Sequence, residues 1–293
     1  MINSQFNCRS IKFIKSCLVF LLVVTAATTT HSDETDQAEK LNESEIHLKN
    51  ITQLTFGGEN AEAYFSADGK KLIFQSTRDG NAADQIYTMN TDGSDVRIVS
   101  TAKGQCTCSY FMSDGNRILY SSTHHFDSQP PAPPDRSQGY VWLIHSSFDI
   151  FTSTNDGSNL RQLTTSWGYD AEATVSPKGD RIFFTSIRKG DLDIYSMDTD
   201  GSNVKQLTDE LGYDGGAFFS ADGKKIVYRS HYPSSKEEED DYKSLLAKGL
   251  IKFSKLDVYI MYADCGNKFK VTNNDATNFC PFFAPDGKRI IFS

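Results

Sequence analysis

Two glutamates and three histidines are the side chains in this sequence whose types and spacing point to chemistry. Glu62 and Glu172 occupy one position of a repeated unit, and His124, His125 and His231 stand where two long loops leave it. Carboxylates that converge with imidazoles can hold a divalent cation or a polar ligand, although histidines at loop roots are equally satisfied by packing. Asp135, Arg136, Tyr140 and Trp142 in the first long loop, with Asp170 and Asp214 in the connectors beside it, complete a candidate ligand-binding face. No catalytic residue is assigned. The pair Cys106-x-Cys108 is a weak metal signal, because no second ligand pair accompanies it.

A repeat positions these groups. The signatures Ser66-Ala-Asp-Gly69-Lys-Lys, Ser113-Asp-Gly115-Asn-Arg, Ser176-Pro-Lys-Gly179-Asp-Arg, Ser220-Ala-Asp-Gly223-Lys-Lys and Ala284-Pro-Asp-Gly287-Lys-Arg each lie between aromatic or apolar runs. In the third copy 171–175 reads as a strand, and the Ser-Pro-Lys-Gly turn reverses the chain. Arg181 to Ser186 and Asp193 to Met197 follow as strands, and Val204 to Thr208 is a fourth after the turn Asp198-Thr-Asp-Gly201-Ser-Asn203. Turn residues punctuating β-branched and aromatic runs are hairpin signals, so the unit is a four-stranded antiparallel meander. A unit of about 45 residues whose sheet must bury both faces is a β-propeller blade. A β-sandwich would not repeat its turn chemistry in this way. The turn at Asp198 to Gly201 is also not a calcium loop: its glycine is fourth rather than sixth, and no bidentate glutamate follows at the twelfth position.

The first-turn glycines at 69, 115, 179, 223 and 287 are spaced by 46, 64, 44 and 64 residues. First and second turns are 22 residues apart in the third blade (179 to 201), but 42 in the second (115 to 157) and fourth (223 to 265, where Cys265 replaces glycine). Blades two and four therefore carry matched insertions between their second and third strands. In an up-and-down blade that loop emerges on the same rim as the connector to the next blade. Both insertions accordingly rise from one face, beside Tyr169-Asp170 and Tyr213-Asp214. Long loops on a rigid scaffold are where binding residues concentrate.

The first insertion, His124 to Trp142, has a proline run expected to be extended and stiff, followed by aromatics that either pack over the ring or line a ligand mouth. The second reads as a short helix. Ser235-x-x-Glu238 is a capping-box pattern, Glu237 to Asp241 match the helix dipole, Tyr242, Leu245 and Leu246 form an apolar stripe, and Gly249 suits the C′ position. Across the blades Asn60, Cys106, Asp170, Asp214 and Asn278 align at the start of the innermost strand, with Glu62, Cys108, Glu172, Gly216 and Cys280 two residues on. These positions are expected to ring one channel mouth, unless the Asn and Asp side chains instead cap the preceding turns.

Residues 1–27 differ in kind. Arg9, Lys12 and Lys15 precede an apolar run from Cys17 to Ala27, too short for a bilayer, which takes about 20 residues. The expectation is a signal peptide cleaved near Ala27, a polar linker over 28–44 and a propeller over 45–293. Loss of the three basic residues leaves 27 Lys and Arg against 38 Asp and Glu, a net of −11. That balance disfavours nucleic acid. Export would permit disulfides among Cys106, Cys108, Cys265 and Cys280, with the pairing open.

The phrases Gly168-Tyr-Asp-Ala-Glu-Ala173, Asp193-Ile-Tyr-Ser-Met-Asp-Thr-Asp-Gly-Ser-Asn-Val-Lys-Gln-Leu-Thr208 and Phe219-Ser-Ala-Asp-Gly-Lys-Lys-Ile-Val-Tyr228 resemble the WD40-like PD40 repeats of TolB-type propellers. The resemblance covers about residues 45–293. It implies an exported, six-bladed, non-catalytic binding scaffold with no cofactor, of which five blade starts are present. The fifth blade reads as unfinished at Ser293, with the stretch Ile46 to Thr55 supplying the last strand of a closing blade. TolB itself is a periplasmic interaction protein of the Tol–Pal system. TolB carries an α/β domain ahead of its propeller, where only about twenty polar residues, Thr28 to Leu48, are expected between the signal and the first repeat here, so Tol–Pal partners are not carried over. Two enzymatic alternatives compete. One is the propeller of a prolyl-oligopeptidase-like or tricorn-like peptidase, although the nucleophile motif Gly-x-Ser-x-Gly is absent. The other is a metal-dependent propeller lyase using the loop-root histidines.

Overall fold

The computed structural model describes residues 49–293 apart from 138, 253, 254 and 265, so the expected signal peptide, the 28–44 linker and Cys265 lie outside the described residues. Residues 54–293 form one compact unit, separate from the unit ending at Gln53.

Four sheets are complete antiparallel meanders. The first contains β1 (Asn60–Phe65), β2 (Lys71–Ser76), β3 (Gln85–Asn90) and β4 (Arg97–Ile98), and the second β5 (Cys106–Phe111), β6 (Arg117–Ser122), β8 (Asp149–Thr154) and β9 (Arg161–Gln162). The third contains β10 (Asp170–Val175), β11 (Arg181–Ser186), β12 (Asp193–Asp198) and β13 (Lys205–Gln206). The fourth contains β14 (Tyr213–Phe219), β15 (Lys225–His231), β17 (Asp257–Tyr262) and β18 (Lys268–Lys270). A two-stranded sheet, β19 (Phe282–Phe283) with β20 (Ile290–Ile291), begins the fifth blade. Innermost strands pack in sequence, β1 on β5, β5 on β10, β10 on β14 and β14 on β19, which is the propeller arrangement.

The expected outer strand over Ile46 to Thr55 does not form in its described part: residues 49–59 carry no strand. An outer strand exists only where a third strand offers it a free edge, and local β-propensity does not substitute for that neighbour.

Each first turn uses glycine where φ must be positive, between 64° and 72° at Gly69, Gly115, Gly179, Gly223 and Gly287. At the second turns, Asp92, Asp156 and Asp200 accept from the amide and hydroxyl of the serine two residues on, as hairpin Asx turns do. Gly201 has a further reason to be glycine, since a Cβ there would lie 2.6 Å from the Leu163 carbonyl oxygen of the preceding blade.

Both faces of the central strands are covered, because blades stack face to face. Ile73, Ile86 and Val99 of the first blade meet Phe111, Ile118 and Tyr120 of the second, and Leu119, Ile150 and Leu163 meet Val175, Ile182 and Phe184 of the third. Phe183 and Ile194 then pack on Ile226, Tyr228 and Met261 of the fourth. Within each complete blade a side-chain lock ties the third strand to the residues after the fourth. Thr164, Thr208 and Thr272 donate to Asp149, Asp193 and Asp257 at 2.8–3.0 Å, and each threonine oxygen accepts the amide of the next residue, Ile150, Ile194 or Val258. In the first blade Ser100 and Gln85 replace the pair. The repeated Gln-Leu-Thr phrase is therefore a structural clasp.

Candidate functional site

Every innermost strand is interrupted at the same place. The β1–β2, β5–β6, β10–β11 and β14–β15 pairings each shift register across a bulge containing Glu62, Cys108, Glu172 and Gly216. These residues, with Cys280 of the fifth blade, take left-handed backbone conformations with φ of 50° to 61°. Glycine adopts that conformation freely, but for the other four it costs about 1–2 kcal/mol each. The bulge breaks the two-residue alternation of the strand and turns these five positions toward the channel, where they line one narrow neck of about 30 Å³.

The next inward positions close the channel on the first-turn side. Tyr64, Tyr110, Phe218 and Phe282 make ring contacts with centroids 5.1–6.3 Å apart. On the opposite side the neck widens into a cleft of about 680 Å³ that opens beneath the first insertion.

A buried polar knot anchors the neck. The Glu172 carboxylate pairs with the Arg229 guanidinium and accepts from Tyr213 Oη at 3.1 Å, Thr185 Oγ1 at 2.7 Å and the Gly216 amide at 3.0 Å. Arg229 Nε also donates to Tyr213 Oη at 3.0 Å. Gly215 makes this approach possible, because a Cβ there would sit 2.5 Å from both Glu172 Oε2 and Tyr213 Oη. Three rings surround the guanidinium: Trp142, Phe279 and Tyr213, with centroids 5.1, 5.7 and 5.9 Å from Cζ.

Trp142 brings the insertions into the site. β7 (Trp142–Leu143), from the second blade, pairs antiparallel with β16 (Leu250–Ile251), from the fourth. The expected helix forms as α1 (Lys236–Leu246), with Ser235 as N-cap accepting the Glu238 amide, while the Glu238 carboxylate reaches back to the Ser234 amide. Tyr242 and Leu246 face Ile144, Leu192, Ile251 and Leu256, and Tyr242 Oη donates to Asp191 of the third blade. The two insertions thus form one cap with its own small core, bridging the third blade. The proline run 130–134 borders the cleft together with Arg136, Trp142, Phe148 and Tyr169.

Of the residues anticipated from sequence, Arg136, Trp142 and Glu172 meet in this cleft. Asp135 folds onto Ser137, and Tyr140 is exposed with Arg136 over its ring. Asp170 and Asp214 do not line the mouth. Asp170 pairs with Arg188 and accepts from Ser166, whereas Asp214 is wholly buried and accepts from Ser230 and Tyr232. Both precede the bulge that turns the following residues inward, and capping or anchoring is their observed use. Asn60 and Asn278 cap their turns through Gly57, Gly58 and Ala276 carbonyls.

The histidines do not converge on the glutamates. His124 bonds Ser122 at 2.8 Å and packs on Phe151, His125 pairs with Asp149 at 2.9 Å, and His231 bonds the Lys255 backbone. Loop roots belong to the second strand of a blade, away from the channel axis. Among the described residues no group of three or more His, Cys, Asp or Glu is placed to hold a metal, and Cys106, Cys108 and Cys280 are free thiols.

Burial sets the protonation states. It pushes the Glu62 carboxyl up against the opposing pull of Arg229, and pushes the Cys108 thiol and the Tyr213 phenol well up. Asp214 is raised to about 7 and Asp193 to about 6, again chiefly by burial, while His124 and His231 are lowered by it.

The TolB beta propeller domain family, PD40, matches residues 126–238, which span the first insertion, the third blade and the start of the second insertion. The fold is a β-propeller, and the matched segment resembles PD40 repeats. This fold is similar to that of the protein assigned as TolB in Agrobacterium tumefaciens, with a TM-score of 0.55 at 20% identity over 78% of this chain and 73% of that one. It is similar also to TolB of Acinetobacter baumannii, with a TM-score of 0.57 at 22% identity over 80% of this chain, which spans 48% of that protein. A chain in a nidogen/laminin complex shares the architecture at 13% identity, with a TM-score of 0.53 over 79% of this chain and 70% of that one. Comparison with curated protein sequences finds no match. Among the described residues no helix of this TolB-like propeller is long and apolar enough to cross a membrane.

Arg229 and Gly215 escaped the sequence reading, and Tyr213 entered it only as a connector residue beside the insertions. A signal for the first was present: an arginine inside the apolar strand Ile226-Val-Tyr-Arg-Ser230, where the equivalent strand positions hold Gln75, Ser121 and Thr185.

Proposed function

We propose that this protein is an exported, non-catalytic TolB-like propeller that binds a ligand or protein partner through the face carrying its two insertions. The observation that carries this reading is the asymmetry of the channel. Aromatic rings fill one end, while the other opens into a cleft of about 680 Å³ beneath the first insertion, which joins the second in one cap. That volume lies in the range of small-ligand sites, with prolines and aromatics on one wall and several charged side chains on the other. Arg136, Trp142 and Glu172 are the centre of the proposed face, with Asp135 and Tyr140 beside them, while His124, His125, Asp170, Asp214 and His231 are engaged within the blades and are not kept in it. Export to a periplasmic or extracellular compartment rests on the basic-then-apolar N-terminus. Fold-level likeness to TolB does not extend to its partners.

Position-specific photo-crosslinking in the producing cell tests the reading. A crosslinker at Tyr140, on the insertion face, is expected to capture a discrete adduct, and one at Lys288, in a first turn, none. Adducts from Lys288 alone, or from neither position, would overturn it.

A further inference from the structure

We propose that the cleft beneath the proline run holds an organic cation, an ammonium or guanidinium group, with its charge seated at the neck beside Glu62. The inference rests on the insertion face being the binding face. Charge comes first: the charged residues lining the cleft are Glu59, Glu62, Asp84, Glu172 and one cation, Arg136, and Arg229 joins Glu62 and Glu172 at the neck. Glu172 is already neutralised by Arg229, and Asp84 accepts from Gln75 Nε2 at 2.9 Å. Glu62 stands differently. Its side chain opens onto the recessed cleft with protein packed around it, and among the described residues the Cys108 thiol, a weak donor, bonds its carboxylate. One guanidinium shared between Glu172 and Glu62 leaves the neck net negative, so an anionic ligand would meet repulsion here and a cation attraction.

The walls point the same way. A carboxylate beside aromatic faces is the chemistry that recognises ammonium and guanidinium groups, and Trp142 already holds the Arg229 guanidinium 5.1 Å from its ring within this site. The neck supplies an independent sign of an unmade contact. Ser109 lies in its wall at 1% exposure, and among the described residues its hydroxyl has no hydrogen-bond partner. At about 30 Å³ the neck admits only a small group, while the wider cleft above accommodates the body that carries it. Burial and the nearby Glu172 charge raise the Glu62 carboxyl, a cost that a bound cation relieves.

The cation can belong to a free polyamine or to a basic side chain of an extended peptide, and the two are separable by titration calorimetry on the full chain. The probes are putrescine, acetyl-Pro-Arg-Pro-amide and, as the control, acetyl-Pro-Glu-Pro-amide. At least one cationic probe is expected to bind, to weaken as sodium chloride rises, and to lose tenfold or more in affinity in Glu62→Gln. If Glu62→Gln melts below wild type, Glu62→Asp serves as the second variant, and it is expected to retain binding because it keeps the charge. Equal affinity for the acidic peptide, unchanged affinity in Glu62→Gln, or no binding of either cation would overturn the inference. Crosslinks from Tyr140 without cation binding would defeat this proposal alone, whereas absence of those crosslinks would defeat the reading beneath it.

Discussion

Glu172 binds the third blade to the fourth through one carboxylate, which takes up Arg229, Tyr213 and the Gly216 amide together. Removing one partner of a buried ion pair strands the other charge, at about 3–5 kcal/mol. Glu172→Ala is therefore expected to lower the denaturant midpoint by that equivalent, and Glu172→Gln, which keeps an acceptor for Tyr213, by less. A midpoint within experimental error of wild type would show that the pair is not buried in solution. Asp214 carries the opposite sign. Its carboxyl is raised to about 7 by burial, so the folded state holds a proton that the unfolded chain releases near 4. Its contribution is full below about 4 and is lost as pH rises to about 7. Wild type should lose melting temperature relative to Asp214→Asn across that window; parallel pH profiles for the two proteins would contradict this.

At the scale of elements, α1 is held at its start by Ser235 and along its face by Tyr242. Loss of an N-cap oxygen costs about 1 kcal/mol. Ser235→Ala should accordingly raise protease cleavage within 236–246 while leaving the blade strands resistant, and unchanged cleavage would show that tertiary packing alone fixes the helix. This helix was legible because its cap, charge order and apolar stripe are all local. The first-turn glycines were legible for the same reason, and their spacing located both insertions. β7 and β16 were not legible, because two-residue strands carry no periodicity and owe their existence to each other across about 100 residues of chain. Nor were the bulges: a left-handed glutamate or cysteine is disfavoured locally and persists only because neighbouring blades hold it. Gln75 of the first blade, for example, accepts from Thr107 Oγ1 and the Cys108 amide of the second. The loop-root histidines illustrate the converse, since residue type suggested convergence that blade geometry does not provide.

For the whole molecule, the stacked blades supply the scaffold, the aromatic positions stop one end of its channel, and the matched insertions join into a cap on the other side. The cap reaches the scaffold at Trp142, whose indole stacks over Arg229 and so couples the cap to the Glu172 knot. Binding at the cleft is then governed by how the cap sits, since a propeller scaffold by itself does not specify a ligand. The central claim is that the two insertions form one cooperative cap. Hydrogen exchange followed by mass spectrometry tests it most directly, comparing wild type with Ile251→Asp, which places a charge in the core of the cap. Peptides covering 141–144 and 249–251 are expected to be equally protected in wild type and to lose protection together in the variant, while 71–76 and 85–90 of the first blade stay protected. Loss of protection at 249–251 with 141–144 unchanged would contradict the account.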